Sequence, residues 1–240
     1  MSRHLGGPIA QPALPADLPG WIEPLVQATR SVRPGELPPL PAPDEGGRES
    51  AVLMLFGEGP AGPDVLLIER SAHLRSHAGQ PAFPGGAVDP DDDGPVAAAL
   101  REAGEETGLD PAGVEVVAIL PPVWLPPSGF MVYPVLGWWR VPSAVAAGDP
   151  GEVAAVLRVP ISDLVDPAYR CRVRHPSGWV GPAFALDDLL VWGFTAVLLD
   201  RLLVLGGFEQ PWDPERTMEL PPEALRLAAG TQPPSGAAAG

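Results

Sequence analysis

Hydrophobic and polar residues alternate along this chain in short, sharply bounded runs. "SAVLMLFG" (50–57) and "DVLLIER" (64–70) are apolar stretches of strand length, and "EGPAG" between them has the composition of a hairpin loop. "VEVVAIL" (114–120), "FMVYPVLGWW" (130–139) and "EVAAVLRV" (152–159) predict three more strands, the first two joined by the Pro-rich "PPVWLPPSG". "PAFPGGAV" (81–88) is short and extended around a glycine pair, and "PISDLV" reads as a single helical turn. A short helix is predicted within "WIEPLVQATR", and another from about Val96 to Thr107. "DDLLVWGFTAVLLDRLL" (187–203) is the longest helical candidate. "DPDDDGP" (89–95) supplies N-cap candidates for the middle helix. Strands first, a helix in the middle and a helix at the end predict an α+β sandwich.

The chain has 240 residues and is 45% hydrophobic, enough for one sizeable domain with extensions. Its ends are rich in proline. We expect a Pro-rich N-terminal extension over residues 1–47, the domain over 48–210, and a disordered tail over 211–240, whose Pro, Ala and Gly bury little apolar surface. The formal net charge is -15, and all 15 basic residues are Arg. That charge excludes a general nucleic-acid or membrane-surface binder. The single cysteine, Cys171, excludes an internal disulfide and a cysteine zinc cluster. The longest apolar stretch, "LLVWGFTAVLL", is too short to span a bilayer. The opening "MSRHLGGPIAQPALP" holds no signal-like apolar run, so a soluble cytoplasmic protein is the expectation.

"REAGEETG" (101–108) breaks the usual rules for the end of a helix. Glu102, Glu105 and Glu106 stand just before a stop signal, Gly108, where the helix dipole favours cations. Glu102 and Glu106 are like charges at i,i+4, which repel by roughly 0.2–0.5 kcal/mol. Gly104 costs the helix roughly 1 kcal/mol more relative to Ala. On a helical wheel Val96, Leu100, Ala103 and Thr107 share a core-facing side, and the three glutamates share another. Ala98 lies one turn earlier on the acidic side and leaves room there. Arg101 can hold Glu105 at i,i+4. A solvated acidic face is the plain reading. A hard divalent cation is the alternative, because it takes oxygen ligands and turns the repulsion into binding. Upstream, Arg70, His73, Arg75 and His77 form a dense basic cluster, a candidate anion site in so acidic a chain.

"GGAVDPDDDGPVAAALREAGEETGL" resembles the Nudix box, whose pattern is Gly, five residues, Glu, seven residues, then Arg-Glu-apolar-x-Glu-Glu-x-Gly-apolar. Arg101, Glu102, Ala103, Glu105, Glu106, Gly108 and Leu109 match its second half in order. The first half is one residue longer from Gly86 to Arg101, and Asp91, Asp92 and Asp93 stand in place of its Glu. "LLIERSAHLRSHAGQPAFPGG" (66–86) is similar to the signature of coenzyme A diphosphatases within that family. Leu66, Leu67, Arg70, Ser71, Arg75, Gly79, Phe83, Pro84, Gly85 and Gly86 match, and Ile68 stands where Thr is usual.

This resemblance implies a Nudix fold, a mixed β-sheet between helices. It implies a Mg²⁺- or Mn²⁺-dependent hydrolase that splits the pyrophosphate of coenzyme A or acyl-CoA into 3',5'-ADP and the 4'-phosphopantetheine product. By position, Glu102 and Glu106 are the implied metal ligands, and Glu105 is a third ligand or helps activate water. The Gly86 carbonyl completes a metal shell, Arg101 orients Glu105, and Arg70, Arg75, Gly85 and Gly86 meet the substrate. A homodimer is left open, and no nucleic-acid or membrane partner is implied. Another nucleoside diphosphate-linked substrate and a non-catalytic Nudix-fold sensor are the rival readings.

Overall fold

The computed structural model describes residues 10–37, 47–74, 78–125 and 129–229. In chain order its elements are α1 (Glu23–Arg30), β1 (Arg48–Gly59), β2 (Gly62–Arg70), β3 (Pro81–Ala82), β4 (Gly85–Ala87), α2 (Pro95–Thr107), β5 (Val114–Ile119), β6 (Val123–Leu125) and β7 (Phe130–Trp139). Then come β8 (Val153–Pro160), α3 (Ile161–Val165), β9 (Arg170–Arg174), β10 (Val180–Leu186), β11 (Leu189–Val191), α4 (Gly193–Leu205), β12 (Thr217–Glu219) and α5 (Pro222–Ala229).

Eight strands form the main sheet, ordered β3-β2-β1-β7-β5, with β4 on β1, β6 on β7 and β8 on β2. β1 and β7 run parallel from Arg48↔Phe130 to Phe56↔Trp138, while the other pairings in this sheet are antiparallel. Both central strands read as unbroken apolar runs because both their faces are covered. Ala51, Leu53 and Leu55 pack with Ala98, Ala99 and Ala103 of α2. Met54 and Phe56, on alternate positions, pack with Leu25 and Val26 of α1 and Leu198 and Leu202 of α4. The architecture is therefore α+β, a mixed sheet between helices, as the sequence predicts.

Three regions differ from expectation. The run 187–203 is not one helix: Leu189–Val191 pairs with β10, and the helix starts only at Gly193, whose φ of 66° breaks it from the strand. β9 and β10, unassigned from sequence, join β11 and β12 in a second sheet of order β11-β10-β9-β12. Residues 217–229, expected without structure, instead form β12, paired with β9, and α5. Leu220 and Leu225 cover Cys171, Val173 and Ala183 of this second sheet. Arg170 fastens that layer. Its side chain is buried, paired with Asp200, and sandwiched between the rings of Phe184 (4.9 Å) and Trp212 (4.7 Å).

Residues 10–37 are part of the same core. Ile22, Leu25 and Val26 are fully buried. The Gln11 amide donates to the Ile119 carbonyl (2.7 Å) and accepts from its N–H (3.0 Å), as a neighbouring strand would. Arg30 donates to the carbonyls of Pro12 (2.8 Å) and Val117 (2.9 Å).

Candidate active site

The middle helix begins at Pro95, a residue suited to the first turn, and ends at Gly108 in the left-handed region (φ 68°). Its last carbonyls are satisfied from outside. Ala146 N–H donates to Thr107 O (2.9 Å) and Gly148 N–H to Glu106 O (3.0 Å). A Cβ on Gly148 would collide with the Glu105 carbonyl, so this approach needs glycine. The buried side of α2 holds Ala98, Ala99, Ala103, Glu106 and Thr107. Ala98 is thus core and not the open position on the acidic side that the wheel suggests. The helix is rotated so that alanines lie on the sheet and one glutamate goes in with them.

The three glutamates meet three different environments. Glu106 is 7% exposed; its Oε2 accepts from Gly85 N–H at 2.9 Å, and its Oε1 lies 3.6 Å from Arg70 Nη1. Burial pushes its pKa up to about 7, against the pull of the Gly85 N–H and Arg70, with Glu102 and Glu152 adding repulsion. Glu102 is 19% exposed and is also raised by burial. Its carboxylate fills the space that a Cβ on Gly86 would occupy, which explains the second glycine of the pair. The first, Gly85, has its would-be Cβ against the Ala51 carbonyl. Glu105 is 63% exposed and touches Arg101. Among the described residues no three acidic or histidine side chains are gathered closely enough to hold a metal by themselves.

Arg101 organises the acidic end. Nε and Nη2 grip Asp92 (3.0 and 2.9 Å), Nη2 also donates to the Ala87 carbonyl (3.1 Å), and Nη1 donates to Glu102 (3.0 Å) and Glu105 (3.2 Å). All five guanidinium N–H groups are used. Of the three aspartates that stand where the box has a Glu, Asp92 is the one that reaches the box helix. Its hydrogen bond from Arg101 holds its carboxyl below the usual carboxylate range. From the sequence no aspartate could be chosen, because the choice depends on how the 89–94 loop folds back over Arg101.

β4 carries Gly85 and Gly86 to the helix because it pairs with β1, Gly86 opposite Ala51 and Gly85 opposite Val52. Arg70 ends β2, where a bulge against β8 shifts the register. The structure therefore gathers Glu102, Glu106, Arg101, Arg70, Gly85 and Gly86, and leaves Glu105 at the rim. Arg75 and His77 lie outside the described residues. Glu152 is close enough to raise Glu106, and its carbonyl accepts from Ser71 N–H at 2.8 Å.

Two carboxylates one turn apart on α2, Glu106 buried and Glu102 largely so, offer the oxygen ligands that suit a hard dication. Mg²⁺ commonly uses one or two carboxylates and completes its shell with water and substrate phosphate, so two glutamates suffice. No helix among the described residues is long and apolar enough to cross a membrane.

The family model for the NUDIX domain matches residues 47–176. The chain is 40% identical over 167 residues to the uncharacterized Nudix hydrolase NudL of Escherichia coli (strain K12), covering 67% of this chain and 83% of that one. The same identity and coverage hold for NudL of Shigella boydii serotype 4 (strain Sb227). Among solved structures, the Nudix hydrolase RenU of M. smegmatis is 22% identical with a TM-score of 0.49, over 72% of this chain and 93% of that one. By that family model and those relatives, this chain belongs to the Nudix hydrolases, enzymes that use divalent metal ions to split pyrophosphate bonds in nucleoside diphosphate-linked compounds.

Proposed function

We propose that this enzyme hydrolyses the pyrophosphate of coenzyme A or its thioesters, with Mg²⁺ or Mn²⁺, to 3',5'-ADP and 4'-phosphopantetheine or its acyl form. One observation carries the reading. The segment that resembles the coenzyme A signature, residues 66–86, supplies the residues that meet the glutamates of the box helix. Its Arg70 and Gly85 meet Glu106, and its Gly86 meets Glu102. Residues of the signature thus lie against the glutamates that the resemblance marks as metal ligands.

Glu102 and Glu106 would hold the metal, and the Gly86 carbonyl would join them. The ion supplies charge neutralisation at the pyrophosphate and a lowered pKa for the attacking water. The chain's own residues do the rest. Gly85 N–H fixes the Glu106 carboxylate, and Arg101 fixes Glu102 and, at the rim, Glu105. Glu105, exposed at the rim, is the group best placed to take a proton from water that enters from solvent. Arg70 and Arg75 serve the substrate's phosphates, for which the arginine fork is suited.

The test is a substrate panel with Mg²⁺, its products resolved by chromatography. Coenzyme A should give an adenine product that carries separate 3'- and 5'-phosphates, with the thioester of acyl forms left whole. Faster cleavage of ADP-ribose or a nucleoside triphosphate would replace coenzyme A with another Nudix substrate. No turnover of any compound would favour a sensor.

A further inference from the structure

Arg101 and Arg70 flank the same pair of glutamates and are used in opposite ways. Arg101 fills every donor. Arg70 is equally well placed, with its main chain locked by Gln80 O (3.1 Å) and Gly79 N–H (2.9 Å). Yet its Nε is buried with no hydrogen-bond partner. Its Nη1 stops 3.6 Å from Glu106 Oε1, near enough for attraction but too far for a good hydrogen bond. Glu106 Oε1 itself accepts no hydrogen bond among the described residues, since Gly85 is bonded to the other oxygen. A guanidinium beside a buried carboxylate, its Nε without a partner and its Nη1 beyond good hydrogen-bond range, is an incomplete contact.

We infer that Arg70 is a stand-in cation, which neutralises Glu106 while no metal is bound and is displaced when the metal arrives, freeing its guanidinium for a substrate phosphate. This rests on the reading of Glu106 as a metal ligand. Oε2 is held by Gly85 N–H, so Oε1, the oxygen that Arg70 faces, is the one Glu106 would offer to a metal. Two cations drawn to one largely buried carboxylate repel each other. By linkage, whatever Arg70 contributes in the metal-free protein it takes from metal affinity. The device orders events: the arginine is offered to phosphate only after the site is charged with metal.

Mn²⁺ titration of the substrate-free protein at pH 8, with free Mn²⁺ read by electron paramagnetic resonance, tests this without turnover. Arg70→Gln should bind Mn²⁺ roughly five- to tenfold more tightly than wild type, and Arg70→Lys should stay near wild type. The metal-free Arg70→Gln protein should melt lower than wild type, and saturating Mn²⁺ should erase the gap. Unchanged or weaker Mn²⁺ binding by Arg70→Gln would overturn the proposal while Glu106→Gln still loses affinity. If Glu106→Gln binds Mn²⁺ like wild type, the metal reading itself fails. Phenylglyoxal labelling of wild-type Arg70, mapped by peptide mass, covers the case in which the variant does not fold. Labelling should speed up on adding Mn²⁺ and slow again with Mn²⁺ and 3',5'-ADP together. A rate indifferent to Mn²⁺ would also overturn the displacement.

Discussion

The two faces of the eight-stranded sheet are closed in contrasting ways. Under α1 and α4 the seal is large and apolar: Ile22, Leu25, Val26, Phe184, Leu198 and Leu202 are all essentially fully buried. Under α2 the seal is Ala98, Ala99, Ala103 and the carboxyl-bearing side chain of Glu106. Alanines bring the helix close enough for the Gly85 N–H to reach a glutamate, but they remove little area from water, and stabilisation scales with that area at about 25 cal/mol per Å². The first face supplies the stability that lets the second hold charge away from solvent.

The sharpest way to break this contrast is to remove the charge. Glu106→Gln and Glu102→Gln should each lower Mg²⁺-dependent turnover by roughly 10²–10³-fold or more, while the metal-free melting temperature stays level or rises. Steady-state kinetics and a thermal melt on the same preparations check both halves. Near-normal turnover in both variants would remove them from the metal site.

On the opposite face the signs reverse. Leu25→Ala or Leu202→Ala should cost about 2–5 kcal/mol by urea denaturation, with kcat/KM per folded molecule little changed. A cost near that of a surface substitution would show that α1 and α4 are not the supporting side.

Acidity should separate the faces next. The folded-state pKa of Glu106 is raised from 4.5 to about 7. The fold therefore favours the neutral carboxyl, and this contribution is complete below about pH 4.5 and lost as pH rises through about 7. Its ceiling is about 3 kcal/mol. Metal-free wild type should lose stability across that window relative to Glu106→Gln, and Mg²⁺ should restore it at high pH. Parallel pH profiles for the two proteins would mean that Glu106 is not buried as described.

The smallest effect belongs to the far rim of the supporting face. Gln11→Ala removes two hydrogen bonds to Ile119 and should cost about 1–2 kcal/mol, with turnover unchanged. Chemical denaturation beside the leucine variants would show whether the N-terminal segment is held mainly by Ile22, Leu25 and Val26.

How much of this could be read from sequence follows the same division. β1, β2, β7 and β8 were legible because they are long apolar runs with clear punctuation. The stretch 187–203 was not, since a segment apolar on every side has no period to separate strand from helix, and only the pairing of Leu189–Val191 with β10 decides it. β9 carries three arginines in five residues and looks like surface until Arg170 is seen between two rings. At the site, the glutamates announced themselves by standing at the wrong end of a helix. Asp92 did not, because its partner Arg101 is nine residues away across a loop. Nor could the wheel place Ala98, because the azimuth of α2 is set by β1 and β7, not by the helix alone.

The bond between Gln11 and Ile119 also bears on how copies of this chain treat one another. β5 ends the strand path, and its outward-pointing polar groups at Val117 and Ile119 are already engaged by Arg30 and Gln11. Those are the groups that a strand from a neighbouring molecule would use to extend the sheet. The N-terminal segment thus serves as a guard on an adhesive edge, and losing the stretch around Gln11 would bare strand-pairing groups on β5.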